Sequence, residues 1–170
     1  MTSSTASASS QRLPNLILDT TAVVAVDFLN YLDELSTLYN LIIPRQVQRE
    51  LRHKPNAAGY SAPFREDISV QHCRRNSYRT VNAELGKGLG ETAVIALHLD
   101  TGYAFVIDNA SPRKYSQQKG YPVATSLNLL GELHQARLLR KPLGDEIDVL
   151  IANGWRLTKR LRNLAVKMYP

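Results

Sequence analysis

The sequence predicts an α/β fold, a three-layer α/β/α sandwich whose central sheet is mostly parallel. Short runs of aliphatic and β-branched residues alternate along the chain with stretches of helical periodicity. Such alternation is typical of parallel sheets that helices cover on both faces. The chain has 170 residues, 44% of them hydrophobic, which suits one domain with a full core.

In the first half of the chain, three strands are expected to alternate with three helices. The strands are predicted at 15–18 (NLIL), 40–43 (NLII) and 67–73 (DISVQHC). The helices are predicted at 20–32, 45–51 and 80–88. Pro44 opens the second helix, because proline suits a first helical turn. Gly88 closes the third helix, as glycine often does, and the Pro, Gly and Asn residues of 53–63 indicate a loop.

In the second half, two more strands are expected among five helices. The strands are predicted at 104–107 (AFVI) and 121–124 (YPVA). The helices are predicted at 91–100, 111–120, 126–139, 144–154 and 158–168. Residues 14–170 should therefore form a single domain. Residues 1–13, which are rich in Ser, Thr and Ala, should form a flexible tail.

Composition narrows the class of protein. The N-terminal stretch lacks the apolar core of a secretory signal, and no apolar run is long enough to span a membrane. Cys73 is the single cysteine, so no intramolecular disulfide can form, which fits a reducing compartment. We therefore expect a cytoplasmic protein with no membrane partner.

The chain is basic, with a formal net charge of +6. The excess lies in Arg74, Arg75 and Arg79 and in the C-terminal third. Basic surfaces attract phosphate backbones, although a solvated basic surface is an equally simple interpretation of charge alone.

Four carboxylates are expected at one edge of the sheet. Asp19 and Asp108 each follow a predicted strand, and parallel strands end at the same edge. The helix that Glu91 opens spans ~14 Å and the strand that returns from it spans ~16 Å, which brings Glu91 back to that edge. Gly88 and Gly90 should allow the sharp entry that aims Glu91 there. Glu50, in the second turn of its helix, leans over the same edge.

Converging carboxylates repel one another, and a hard divalent cation such as Mg²⁺ or Mn²⁺ resolves the conflict. No Cys–His spacing suggests zinc. Each acid also has a simpler interpretation. Asp19 and Asp108 can cap the helices that follow them, and Glu91 can be a first-turn charge at a helix N-terminus.

The sequence resembles the PIN-domain nucleases, and among them bacterial proteins related to VapC-type toxins. The resemblance rests on LILDTTAVVAV, PRQVQREL, GLGETAVIALHL and FVIDNASPRKYSQQKGYPVATSLNLLGELHQARLL, with GWRLTKRLRN near the C-terminus. It implies a Mg²⁺- or Mn²⁺-dependent ribonuclease in which Asp19, Glu91 and Asp108 hold the metal and Glu50 is the fourth acid. Asn109 stands where relatives often carry another acid. Thr125 and Ser126 stand where relatives often place a hydroxyl near the pocket, or they cap the next helix.

The leading hypothesis is therefore an endoribonuclease with Arg74, Arg75, Arg79 and Arg113 as candidate phosphate contacts. A toxin–antitoxin pair is one setting for it, with RNA as substrate and an antitoxin or a second copy of the chain as partner. The alternative is a nucleic-acid- or protein-binding module that kept the fold and lost catalysis, which Asn109 favours. A helix-turn-helix DNA binder built on GWRLTKRLRNLAVK is a more distant third.

Overall fold

The structure is a computed structural model, and it describes residues 12–86 and 88–170. The tail predicted at residues 1–13 therefore falls mostly outside the described residues. Its last residue, Leu13, accepts a hydrogen bond from the Asn40 side chain at 2.8 Å, and the carbonyl of Pro14 accepts one from the Asn40 backbone at 2.9 Å. These bonds hold residues 13 and 14 against the rest of the domain.

Strands and helices alternate along the described chain. The strands are β1 (Asn15–Leu18), β2 (Asn40–Pro44), β3 (Ile68–Gln71), β4 (Ala104–Val106) and β5 (Val123–Ala124). The helices are α1 (Thr20–Phe28), α2 (Leu32–Ser36), α3 (Arg45–Arg52), α4 (Arg75–Leu85), α5 (Leu89–Thr101), α6 (Ala110–Gln118), α7 (Ser126–Gln135), α8 (Leu143–Ala152) and α9 (Lys159–Met168), with a 3-10 turn at Ala62–Phe64.

The five strands form one sheet in the order β3-β2-β1-β4-β5, and every neighbouring pair is parallel. β1 lies at the centre, where Leu16 pairs with both Leu41 and Ala104. Because all strands run in one direction, their carboxyl ends share one edge, called here the carboxyl edge.

Helices cover both faces of the sheet. The connections from β1 to β2 and from β3 to β4 run in opposite directions across it, and right-handed crossovers then place their helices on opposite faces. α5 packs against β1, β2 and β4, with α4 and α6 beside it. α1, α2 and α7 pack together in the other layer. The predicted three-layer α/β/α sandwich is confirmed, with a sheet that is parallel throughout its described strands.

The largest departure from the predicted elements is a break in the first helix. The prediction ran from 20 to 32, but α1 ends at Phe28 and α2 begins at Leu32. Asn30 between them has φ 58, a left-handed conformation that asparagine tolerates and that ends a helix.

The next largest differences are in two other helices. α4 begins five residues before its predicted start at 80 and is closed by Gly86 at φ 57, not by Gly88, which precedes α5. α7 ends at Gln135, two residues before Arg137 at φ 59.

The core is formed mainly by the central strands and α5. Ile17, Leu18, Ile95, Phe105 and Ile107 are fully buried. None of the helices in the described part of the chain combines the length and the apolar character that a membrane crossing requires.

Candidate active site

Asp19 and Asp108 lie side by side at the carboxyl edge. β1 and β4 are parallel neighbours in which Leu18 pairs with Val106, so the residues that follow both strands emerge together. The backbone N–H of Asp19 donates to the carbonyl of Val106 at 3.3 Å, which continues the ladder by one residue.

Asp19 is a buried carboxylate, with only 3% of its surface exposed. Its Oδ1 accepts the backbone N–H of Ala22 at 2.7 Å, so it caps α1 as the simpler interpretation required. Burial raises the pKa of Asp19 well above its usual value, and the negative charges of Asp108 and Glu91 also raise it, while backbone N–H groups of Ala22 and Asp108 lower it. The same residue therefore serves as a helix cap and lies among other acids.

Asp108 is held from the start of α7. Its Oδ1 accepts the backbone N–H of Ser126 at 2.8 Å, and its Oδ2 accepts the Ser126 hydroxyl at 2.5 Å. Asp108 thus bonds to the start of α7 and does not cap α6, and Asn109 at the N-cap position of α6 makes no side-chain cap either.

Thr125 is the residue that caps α7. Its hydroxyl accepts the backbone N–H of Asn128, and the Asn128 side chain accepts the backbone N–H of Thr125 at 2.9 Å, forming a capping box. The two adjacent hydroxyls therefore have different partners: that of Thr125 stabilises the helix, and that of Ser126 orients a site carboxylate.

Glu91 lies in the first turn of α5 and bonds to the residue after Asp108. Its Oε1 accepts the side-chain N–H of Asn109 at 2.7 Å. Its Oε2 turns back over Gly88, where an added Cβ would lie 2.5 Å from that oxygen. The neutral amide of Asn109 therefore occupies one oxygen of Glu91.

Glu50 reaches the edge from α3. Its Oε2 accepts the hydroxyl of Thr20, the residue after Asp19. Its carboxylate also lies against buried Gly90, where a Cβ would meet its two oxygens at 2.8 and 2.9 Å. Gly90 was expected to serve the entry of α5, but its lack of a side chain also makes room for Glu50. Neither residue was predicted to contact Glu50. The position of Thr20 next to Asp19 could have indicated its contact with Glu50, whereas no local sequence pattern indicates that Gly90 makes room for Glu50.

The donor chemistry of this edge fits a hard divalent cation. Its side chains offer carboxylate oxygens, and none of Asp19, Glu91 and Asp108 has an ion pair among the described residues. Within residues 12–86 and 88–170, however, no three His, Cys, Asp or Glu side chains are arranged to hold a metal together. Magnesium sites often use one or two carboxylates and complete the shell with water. The geometry therefore suits a site with few protein ligands, and the three-ligand assignment stays a prediction.

The predicted phosphate-contacting arginines lie at two separate places. Arg113 lies at the edge, where its Nη1 donates to the carbonyl of Asp108 at 3.1 Å. The other arginines lie on α4 or just before it, and the backbone N–H of Arg74 donates to Asp100, at the far end of α5. Nine residues of helix separate Asp100 from Glu91, or ~14 Å. The structure therefore does not bring Arg74 and Arg75 together with the acids.

A cavity of about 750 Å³ opens beside Asp108, and here it is called the edge cavity. Asp108, Asn109, Thr125 and Ser126 form its polar side, and Arg113 and Arg156 are its cations. Trp155 and four leucines line it as well. The Trp155 ring also packs against Phe28, with 5.3 Å between the ring centroids. Its second contact, with the cavity, depends on how α8 and α9 fold back, which no short motif reveals.

The last two helices belong to the same body as the sheet. α9 packs against α7 and α8, and its Ala165 is buried. Residues 154–167, on which the helix-turn-helix hypothesis rests, therefore pack as part of this domain.

An α/β sandwich with acids gathered at the carboxyl edge is the architecture that the sequence resemblance implied. A family model described as a PIN domain matches residues 15–169, which is nearly the whole chain. The chain therefore belongs to the PIN-domain family. PIN domains are generally nucleases, and PIN nucleases generally use divalent metals.

The remaining comparisons add little. No curated protein matches the chain. One chain of a solved structure, VapBC2 from Rickettsia felis bound to a DNA fragment from their promoter, is similar with a TM-score of 0.46 and 13% identity, over 65% of this chain and 97% of that one. A similarity of this size supports no conclusion about function.

Proposed function

We propose that the protein is a Mg²⁺- or Mn²⁺-dependent endoribonuclease whose reaction takes place at the carboxyl edge. Asp19 carries the proposal. It is a carboxylate held inside the protein beside Asp108 and Glu91, and its burial, together with these negative neighbours, makes its ionised form unfavourable. A bound cation would relieve that cost. Membership of the PIN-domain family supports the same interpretation.

In this proposal, the residues of the chain divide the work. Asp19 and Asp108 would hold the metal, with Glu91 as a third candidate, and a bound metal would polarise the phosphodiester and an attacking water. Ser126 keeps the Asp108 carboxylate oriented. Glu50, held by Thr20, keeps a further negative charge at the edge. Arg113, which donates to the Asp108 carbonyl, would contact a phosphate near Asp108.

Cleavage of RNA in the presence of Mn²⁺ tests the proposal. Purified wild type should produce shorter fragments, and chelator should abolish them. Asp19→Asn and Glu91→Gln should lower the rate by at least about a hundredfold, because each removes a charged oxygen ligand proposed to hold the metal. Asp145→Asn and Glu66→Gln, matched changes at exposed acids away from the edge, should cut like wild type. Equal cutting by all five proteins would remove the edge acids from the mechanism.

A second candidate is a binding module that keeps the fold without catalysis. The amide of Asn109 bonded to Glu91, with no three-ligand group among the described residues, favours it. RNA binding that chelator leaves unchanged, without any metal-dependent product, would support this candidate over the nuclease.

The toxin–antitoxin setting, an antitoxin partner and a homodimer are predictions from the sequence resemblance to VapC-type proteins. A small reading frame directly upstream that encodes an inhibitor would support the setting. Expression of the chain alone should then arrest growth, and co-expression of the upstream product should restore it.

A further inference from the structure

The edge cavity joins the acidic edge to an apolar wall. Asp108 and Asn109 lie at its polar side. Its wall consists of side chains from α7, from α8 and α9, and from the connection between them: Leu127, Leu150, Trp155, Leu157 and Leu161. Its volume, about 750 Å³, lies within the ~300–1,000 Å³ of typical ligand sites.

The wall is held in place from behind. Leu150 is fully buried, and the Trp155 ring packs against Phe28 with 5.3 Å between centroids. Leu161, by contrast, is 41% exposed at the start of α9. An aromatic ring among leucines, supported from one side and open on the other, is a surface on which a planar base can stack.

The cations of the cavity are not neutralised. Arg65, Arg140 and Arg162 each form a salt bridge with an acid elsewhere in the protein. Arg113 and Arg156 have no such bridge within the described chain, and the Arg113 guanidinium donates instead to the Asp108 carbonyl. Two unneutralised guanidinium groups beside an apolar wall suit an anion that carries a flat apolar group.

We propose that the edge cavity binds one nucleotide of the RNA, next to the phosphate that is cut. Its base lies against Trp155 and the leucines, and its phosphate meets Arg113 and Arg156. The position of this nucleotide next to the cut phosphate rests on the proposed nuclease function, in which Asp108 lies at the site of cleavage. An acidic segment of a protein is the competing occupant. The nucleotide is favoured because one residue of RNA has both the flat apolar face and the adjacent phosphate that the cavity matches.

Trp155 is the only tryptophan of the chain, so its fluorescence reports on the cavity itself. A pool of tetraribonucleotides is titrated into the full-length protein in EDTA, which prevents metal-dependent cutting. Anisotropy of the same RNA carrying an end label measures total binding in parallel. Two cavity variants, Arg156→Glu in the connection before α9 and Leu161→Glu on α9, are compared with two controls on α9, Arg160→Glu and Leu164→Glu. All four positions are exposed, so the variants should fold, which thermal unfolding verifies.

We expect saturable quenching of Trp155 in the wild type and in both controls. Each cavity variant should bind about tenfold more weakly, the loss of roughly one charged or stacking contact. Three results would each overturn the proposal: no saturable fluorescence change, labelled RNA that binds without quenching, or equal affinity in all variants. Quenching by an acidic peptide but not by RNA would assign the cavity to a protein partner and would equally overturn it.

The outcome is separable from that of the nuclease proposal. One outcome is quenching that both cavity variants weaken as expected, without cleavage in Mn²⁺. It would support the cavity as an RNA site and refute the nuclease. Asp19-dependent cleavage without quenching would keep the nuclease and refute the cavity assignment.

Discussion

Ser126 donates both its backbone N–H and its hydroxyl to the Asp108 carboxylate, at 2.8 and 2.5 Å. Asp108 follows β4 and Ser126 begins α7, so this pair connects two segments that are 18 residues apart. Both oxygens of Asp108 thereby have a fixed direction. A carboxylate oriented in this way can face a cation without the cost of ordering it first.

Ser126→Ala should lower the cleavage rate about tenfold while leaving the protein folded. The variant keeps the backbone N–H bond but frees Oδ2 of Asp108, so the carboxylate loses one of its two anchors. Initial rates at saturating Mn²⁺ measure the effect. Ser126→Thr retains a hydroxyl and should keep more activity than alanine; if alanine cuts as fast as wild type, Ser126 has no positioning role.

Thr125→Ala should instead reduce stability by about 1 kcal/mol, which is the usual cost of losing an N-cap. Its hydroxyl caps α7 and does not contact Asp108. Urea unfolding without metal measures the difference from wild type. A Thr125→Ser variant keeps the cap and should unfold like wild type. A large loss of activity with unchanged stability in Thr125→Ala would contradict this division between neighbours.

Much of this site follows from the sequence because strand direction alone determines it. Asp19 and Asp108 each follow an apolar strand, and parallel neighbours end at one edge. Because α5 and β4 have similar lengths and run in opposite directions, Glu91 was predicted at the same edge, and there it accepts a hydrogen bond from Asn109. These relationships need only element type and length, which hydrophobic patterns encode well.

Other features were not predictable, because they depend on tertiary packing. The break at Asn30 lies in a run of residues that suits a continuous helix, and only the left-handed φ ends it. Arg74 was predicted to contact phosphate from its charge alone, and its position beside Asp100, at the other end of α5 from Glu91, depends on how the chain enters α4. The edge cavity requires α9 to pack on α7 and α8, and no local pattern specifies that packing.

Gly90→Ala should lower activity without lowering stability. A Cβ at this position would lie 2.8 and 2.9 Å from the Glu50 oxygens, so Glu50 must move away from Thr20. Alanine meanwhile favours the helix by roughly 0.5–1 kcal/mol. This gain roughly offsets the lost hydrogen bond between Thr20 and Glu50, so the free energy of unfolding should change little while the cleavage rate falls. Glu50→Gln, which keeps the shape, serves as the comparison, and an active Gly90→Ala protein would show that the position of Glu50 is unimportant.

Asn109→Asp should lower the melting temperature of the metal-free protein. It should also increase the rise in melting temperature that Mn²⁺ causes. The change replaces the donor of the 2.7 Å bond to Glu91 with a second negative charge, and like charges at this distance repel. A cation that binds both would then stabilise the folded state by mass action. Melting temperatures with and without Mn²⁺ measure both effects, and Asn76→Asp at an exposed position of α4 is the control. A Mn²⁺ shift no larger than that of wild type would contradict a cation at this edge.

Asp19→Asn should make the metal-free protein more stable at neutral pH. Burial raises the pKa of Asp19 above its usual 3.8, so the folded state holds this proton more tightly than the unfolded state. Stability therefore falls as pH rises from the unfolded pKa through the folded one, and the full penalty remains above both. Asparagine carries no such penalty, and its side-chain oxygen can still accept the backbone N–H of Ala22 and cap α1. Urea unfolding between pH 4 and 8 should show a gain that is largest at the high end and fades toward about pH 4. Added Mn²⁺ should stabilise the wild type alone, whereas equal stabilisation of both proteins would show that the cation binds elsewhere.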